Sequence, residues 1–423
     1  MITRSRAMAS LAMAAALILS AGCGLLSDKE QSSQAAGEKG PIQIGHLTPK
    51  SAFLGQLGAQ DLAGVEFAVD EINGSGGLLG RQVKLISKDD VDTGVAVQNA
   101  TKLVETNRVD ALFGEISSAS GLAIAGIADR NKTVYFNTGW NSNVGRGKDC
   151  SRYVFHTDGN NTMYVSTVGL SVTKNAKANK YYILSADYAF GQDLRKETKL
   201  LLSRVKGTQV VGDVLVPTGT SDYTTYIRRI QAAAPDTVFL NLAGADQTTF
   251  LKQYTQEYGA PYNVTGGVMD TVQLWAAGRK NISGVWPATY YHKLDTPANK
   301  QFVTRWREAH GNVPPDNQAW QSYVGVKVWA DGVKKAGTVD DQKVVEALRS
   351  GMEFDVLKKR PAVFRKLDNQ LMYDMEAVKV KAPGESAEDQ YDLFDIVEEV
   401  PGLDQDLEAI QIPADRSGCN MGK

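Results

Sequence analysis

The sequence predicts an α/β protein built as two doubly wound parallel-sheet lobes, and three observations lead there. From Pro41 onward, strand-like runs alternate with single helix-like runs, and a second cycle of the same alternation begins after Cys150. Strands separated by single helices pair in parallel through right-handed crossovers. The chain has 423 residues, too many for one ordinary core and suited to two domains of roughly 150–200 residues. Its composition, 43% apolar and 22% charged, is that of a globular chain rather than a disordered one.

The front end precedes that alternation. Arg4 and Arg6 form a positive n-region, and Ala7 to Leu19 is an uncharged, largely apolar run. Such a run makes about 20 Å of helix against a hydrocarbon core of roughly 30 Å, so residues 1–23 read as an export signal rather than a membrane span. No later segment has the roughly 18 uncharged apolar residues in a row that a span requires. Ser20, Ala21 and Gly22 lead into Cys23, and this junction resembles the lipobox of bacterial lipoproteins. The resemblance implies that Cys23 is lipidated and becomes the mature N-terminus. Here the leucine stands four residues before the cysteine, at Leu19, instead of three. A plain secretory cleavage that discards Cys23 is the alternative. Residues 24–40, small, polar and without periodicity, read as a flexible tether.

In the first cycle, IQIGHL (42–47) is a strand pattern, and Leu62, Val65, Val69 and Ile72 recur at helical spacing up to Asn73-Gly74, a helix stop. VKLIS (83–87), DALFG (110–114) and TVYFN (133–137) continue the sheet. Helices run through Ala96, Ala100, Leu103 and Val104, and over LAIAGIADRN (122–131). In the second cycle the strands are KYYILSAD (180–187), QVVGDVLV (209–216), TVFLNLA (237–243) and YNVTGGV (262–268). Helical runs through Leu200–Leu202, Ile227–Ile230 and Phe250–Tyr254 lie between them. Beyond Trp286 come further helices, among them QAWQSYVGVKVWADGVKKAG (318–337). Residues 360–423 hold too little apolar surface for a core of their own and are expected to complete the two lobes.

Several chemistries are excluded. With 46 basic and 48 acidic side chains the net charge is −2 and the pI about 6.2, unsuited to a nucleic-acid partner. His46, His156, His292 and His310 are scattered, and no ligand-spaced His/Cys cluster occurs, so no metal and no cofactor are expected. No G-x-S-x-G elbow is present, and SVTK (171–174) lacks the companion strings of a serine-lysine enzyme. GGLLGRQ (76–82) follows a helix rather than a strand, so it reads as a sharp loop and not a dinucleotide turn. Setting Cys23 aside, Cys150 and Cys419 remain, an even pair expected to bridge in an oxidising compartment and clamp the tail, with two free thiols as the alternative.

Ligands of open α/β sheets bind outside the carboxyl ends of the strands, which directs attention to four loops. Ser117 and Ser118 follow DALFG at a helix start, either as plain caps or as a carboxylate cradle. FNTGWNSNV (136–144) sets Trp140 among turn residues as a wall or lid. DYAFGQD (187–193) presents Tyr188 and Phe190, and GGVMDT (266–271) presents Asp270, either a cap or a partner for an ammonium.

VEFAVDEINGSGGLLGRQVKLISKDD (65–90), ISSASG, DYAFGQDL and DTVFLNLAGADQTTFLKQ (236–253), in this order behind such a leader, resemble the branched-chain amino-acid-type solute-binding proteins of ABC transporters. The resemblance covers nearly the whole mature chain. It implies two doubly wound lobes joined by a multi-strand hinge, closing on a small-molecule ligand without catalysis and handing it to a membrane permease. On that plan, 41–156 with about 288–365 form the N-terminal lobe, and 157–287 with about 366–423 the C-terminal lobe and tail. The resemblance implies that Ser117 and Ser118 receive the ligand carboxylate and that Gly139 and Asn141 bond its polar groups. It also puts Trp140, Phe190 and Ala243 in the pocket wall, Asp270 near the position that pairs with an α-amino group (Met269 being the competing alignment), and Phe53 in the first loop's wall. Trp140, Phe190 and Ala243 depart from the family's usual residues, which weakens leucine, isoleucine or valine as the ligand. The function expected is that of an extracytoplasmic, lipid-anchored monomer binding a small amino acid, amide, urea-like or aromatic carboxylate ligand for an ABC importer. A ligand-sensing receptor subunit of the same fold is the alternative reading, and a secreted α/β enzyme a more distant one.

Overall fold

The computed structural model describes residues 40–174, 179–382 and 389–421; the leader, Cys23 and the tether lie outside the described residues. The chain opens with β1 (Ile42–Thr48), α1 (Gly55–Gly74), β2 (Val83–Asp89), α2 (Thr93–Thr101), β3 (Ala111–Gly114), α3 (Ser118–Asn131), β4 (Tyr135–Asn137) and β5 (Val154–His156). These strands form one parallel sheet in the order β2-β1-β3-β4-β5. Because β3 and β4 are covered on both faces, each reads as a continuous buried run. The parallel register places Phe113 against Phe136 and Phe136 against Phe155, and the three rings stack at 5.4 and 5.5 Å. The glycine-rich loop after α1 is the sharp return expected: Gly77 has φ +84° and its Cβ position would lie 2.2 Å from Arg81 O.

The second lobe contains α4 (Asn161–Lys174), β6 (Lys180–Ala186), α5 (Ala189–Arg204), β7 (Gln209–Val216), α6 (Thr224–Ala233), β8 (Thr237–Asn241), α7 (Ala245–Gln256), β9 (Asn263–Gly266) and α8 (Thr271–Ala277). Its sheet is again parallel, ordered β7-β6-β8-β9. The strands fall where the alternation places them. The short edge strand β5 is an addition, hidden in the sequence by the turn-rich stretch before it.

The later elements are β10 (Val285–Ala288), α9 (Pro297–Ala309), α10 (Asn317–Ala336), α11 (Asp341–Leu348), β11 (Glu353–Phe354), β12 (Ala362–Phe364), β13 (Leu371–Met372), β14 (Met375–Val380), β15 (Phe394–Val400) and α12 (Ala414–Ser417). Helices α9 and α10 return to the first lobe, where Phe302, Trp306 and Tyr323 surround Phe67 of α1. β10, β14 and β15 make an antiparallel sheet, and β14 and β10 pack beside α4 of the second lobe. The chain therefore crosses between lobes three times, after β5, after β10 and between β13 and β14. The crossings are tied together: Tyr373 Oη donates to Thr157 O at 2.9 Å, and Gln321 Nε2 of α10 donates to Thr289 Oγ1 at 2.8 Å and to Asp158 Oδ1 at 2.5 Å.

The tail folds back onto both lobes. Cys419 is disulfide-bonded to Cys150, 269 positions away, with Cα atoms 5.6 Å apart. Beside it, Ser417 Oγ donates to Arg146 O at 3.0 Å, and Arg416 pairs with Glu197 of α5 at 2.9 Å.

Candidate functional site

Both sheets have a topological switch point, where neighbouring strands send the chain in opposite directions: between β1 and β3 in one lobe, between β6 and β8 in the other. Loops diverge there and leave a crevice at the carboxyl ends of the strands. The two crevices face each other. Between them lie an inner cavity of about 20 Å³ and an outer one of about 300 Å³ that share Leu54 and Tyr188 as walls. The lobes touch around them. Phe53 and Tyr188 meet edge to face at 6.0 Å, and Gln273 Nε2 donates to Gln56 Oε1 at 3.0 Å.

The inner cavity is lined by the apolar Leu54, Leu57, Ile116, Phe190 and Val268 and by the polar Asn141, Asp158, Asp270 and Gln318. Asp270 starts α8, yet its carboxylate does not cap that helix; Oδ2 accepts the Gly244 N–H at 2.7 Å. Burial pushes the Asp270 carboxyl up to about 6. Asp158, in the same lining, accepts from Tyr164 Oη at 2.8 Å and from Asn141 Nδ2 at 3.1 Å. Burial raises Asp158 to about 7, against the lowering effects of the Tyr164 hydroxyl and of Arg146. Gln318 is held by Asp61 Oδ1 and Thr138 O at 3.1 and 2.8 Å, so its amide is fixed against the cavity. Buried groups aimed by such partners present a rigid recognition surface.

Of the residues singled out from the sequence, Gly139, Asn141, Phe190, Ala243 and Asp270 line the inner cavity, and Phe53 and Ser117 line the outer one. Two do neither. Trp140 is fully buried inside the first lobe, where Gly121 and Gly145 leave slots for its ring (a Cβ on either would lie 2.2 Å from it) and Tyr135 Oη accepts its indole N–H at 3.0 Å. It is a core residue, not a lid. Asn137 explains the turn-like sequence around it: its Oδ1 accepts both Gly139 N and Trp140 N, at 3.1 and 2.9 Å. Ser118 is likewise buried, its Oγ accepting Ser142 N at 3.4 Å. The Ser117 N–H, the obvious donor of a carboxylate cradle, already donates to Glu115 Oε1 at 2.5 Å. The cradle expected for a ligand carboxylate is thus filled from within the chain.

Residues missed in the sequence include Asp158, Tyr164, Asn317 and Gln318 in the inner cavity and Asp90 and Glu115 in the outer one. Asp158 follows β5, the parallel edge strand that the sequence hides, and Gln318 arrives from the start of α10, which is not a loop after a parallel strand. Glu115 was in view, directly after β3, but nothing in its spacing distinguishes it from a solvated turn residue.

Known proteins share this architecture. The chain is 25% identical over 334 residues to a Leu/Ile/Val-binding protein homolog 7 of Brucella suis biovar 1, covering 74% of this chain and 82% of that one. A branched chain amino acid ABC transporter periplasmic ligand-binding protein from Burkholderia xenovorans LB400 superposes with a TM-score of 0.76 at 26% identity, covering 90% of this chain and all of the other. A periplasmic binding protein from Burkholderia mallei gives 0.82 at 24% identity, over 90% and 99% of the two chains. Such proteins hold solutes outside the cytoplasm and catalyse nothing. A sequence model of the periplasmic binding protein family matches residues 41–387, and with two parallel-sheet lobes enclosing a cleft, the chain belongs to that family of solute-binding proteins.

Proposed function

We propose that this chain is the solute-binding component of an ABC importer, closing its lobes on a small organic solute and presenting it to a membrane permease. The observation that carries the reading is the position of the inner cavity: it lies at the switch points of both sheets and takes walls from both lobes. A ligand touching both walls favours the closed arrangement by its differential affinity for closed over open. A micromolar ligand supplies about 8 kcal/mol for this. The three crossings after β5, β10 and β13 are the hinge, and a lipid on Cys23 anchors the monomer through the tether of residues 24–40. Asp158 and Asp270 in the cavity favour a solute with an ammonium head, such as an amino acid or an amine, over an aromatic carboxylate.

The test is small-angle scattering with thermal unfolding across amino acids, amides, ureas, amines and aromatic acids. At least one solute is expected to contract the protein and raise its melting midpoint. Asp270→Asn is expected to weaken an ammonium-bearing solute tenfold or more, about 1.4 kcal/mol. A protein whose dimensions and stability ignore the entire panel is not a binding protein of this kind.

A further inference from the structure

The cleft carries charge of one sign. Among the described residues, no lysine, arginine or histidine lines either cavity, whereas Asp158 and Asp270 line the inner one and Asp90, Asp92 and Glu115 the outer. Asp92 is accounted for as the cap of α2, accepting Val95 N at 2.8 Å. Asp90 and Glu115 are not. Asp90 is 3% exposed and neither carboxylate oxygen has a hydrogen-bond partner; Glu115 is fully buried and its Oε2 has none.

Buried carboxylate oxygens without donors are costly, and where such a group lines a cavity, as Asp90 and Glu115 do, a ligand there can supply the missing partner. The cation acting on Asp90 from the protein, Lys50, is an exposed side chain. A metal ion does not answer the need, since among the described residues no three His, Cys, Asp or Glu side chains converge closely enough to hold one. The walls between the two acidic ends are instead organic in character: Phe53 and Tyr188, whose ring faces attract cations. Glu115 also occupies the Ser117 N–H that a ligand carboxylate needs, so it repels a carboxylate and removes its donor at once.

Resting on the importer reading above, we infer that the solute is an organic dication without a carboxylate, a diamine or amino-guanidine, with one cationic end at Asp270 and Asp158 and the other at Glu115 and Asp90. The aliphatic spacer runs past Leu54 and Tyr188, the residues common to both cavities. Burial pushes the Asp90 carboxyl up to about 8, so without a counter-ion it stays protonated near neutral pH, and a bound cation draws it to the carboxylate.

The experiment is calorimetric titration and scattering of the full chain with putrescine, cadaverine and agmatine, against n-butylamine, leucine and benzoate. A dication is expected to bind at least tenfold tighter than n-butylamine or leucine and to contract the protein. Glu115→Gln is expected to weaken that dication at least tenfold while leaving n-butylamine within twofold; if that variant does not fold, Asp90→Asn carries the same comparison. Tighter binding of leucine or benzoate than of every dication overturns the inference and leaves the importer reading standing. Dication binding that ignores both substitutions also overturns it. Silence across all six probes, with no contraction on the wider panel, removes both.

Discussion

Gln273 of α8 donates its side-chain N–H to Gln56 of α1 at 3.0 Å, a bond that spans the cleft from one lobe to the other. Thr248 Oγ1 donates to Gln273 Oε1 at 2.8 Å, which fixes the amide so that its nitrogen faces Gln56. A neutral side-chain bond contributes about 1 kcal/mol net, roughly a fivefold change in an equilibrium constant. Gln56→Ala is therefore expected to weaken ligand binding by about fivefold, mostly through faster dissociation, with little effect on unfolding. Stopped-flow release kinetics check it. An unaltered dissociation rate would mean that the bond does not hold the closed state.

Gly244 stands where the two lobes meet. It has φ +60°, and a Cβ there would lie 2.2 Å from the carbonyl oxygen of Phe53 on the other side of the cleft. Its N–H also holds Asp270. Gly244→Ala is expected to prop the lobes apart, leaving a folded protein with the scattering profile of the open form and affinity reduced at least tenfold. Closure by this variant equal to that of the parent would show that the loop yields easily.

Much of this was legible in the sequence because parallel sheets write themselves plainly. Runs such as Ala111–Gly114 and Thr237–Asn241 are buried on both faces and separated by helical periodicity, so strand order and the location of the binding loops follow. The loops also yielded Asn141, Phe190 and Asp270. Trp140 misled because a tryptophan amid Asn, Ser and Gly looks like a surface feature, whereas the glycines that admit its ring stand at 121 and 145, outside that pattern's reach. Asp158 and Gln318 escaped because a cavity between lobes draws on residues more than a hundred positions apart. The Glu115–Ser117 bond escaped for the opposite reason: it is so local that composition cannot separate it from an ordinary helix start.

Trp140 gives a prediction that separates core from site. Trp140→Phe keeps a ring in the slot but loses the indole bond to Tyr135 Oη and part of the packing, at an expected cost of about 1–3 kcal/mol. Ligand affinity is expected to stay within about twofold, since the ring touches neither cavity. Denaturant unfolding and calorimetric titration on the same samples decide it. Lost affinity at unchanged stability would return Trp140 to the pocket wall.

The bridge between Cys150 and Cys419 closes most of the chain into one loop. Cross-links over long loops stabilise by about 2–5 kcal/mol, chiefly by restricting the unfolded chain. The double variant Cys150→Ser, Cys419→Ser is expected to unfold at correspondingly lower denaturant concentration. An unchanged midpoint would show that Arg416 and Ser417 suffice to hold the tail.

The acidic cleft also fixes the direction of the pH dependence. Burial raises Asp90 to about 8, Asp158 and Asp316 to about 7, and Asp270 to about 6, from an ordinary 3.8. Burial acts in the same direction away from the cavities on Asp246, Asp341 and Glu376. Over the window from about pH 4 to about 8 the folded state holds more protons than the unfolded one, so stability without ligand falls as the pH rises through it. A cation reverses the trend, because it binds the deprotonated carboxylates and offsets their burial. The melting midpoint of the free protein is therefore expected to drop between pH 5 and 8, while the rise produced by a dication grows over the same interval. Scanning fluorimetry at constant ionic strength measures both. Were the ligand-induced rise independent of pH, these carboxylates would not be the groups that hold the ligand, and the acidity of the cleft would serve the fold alone.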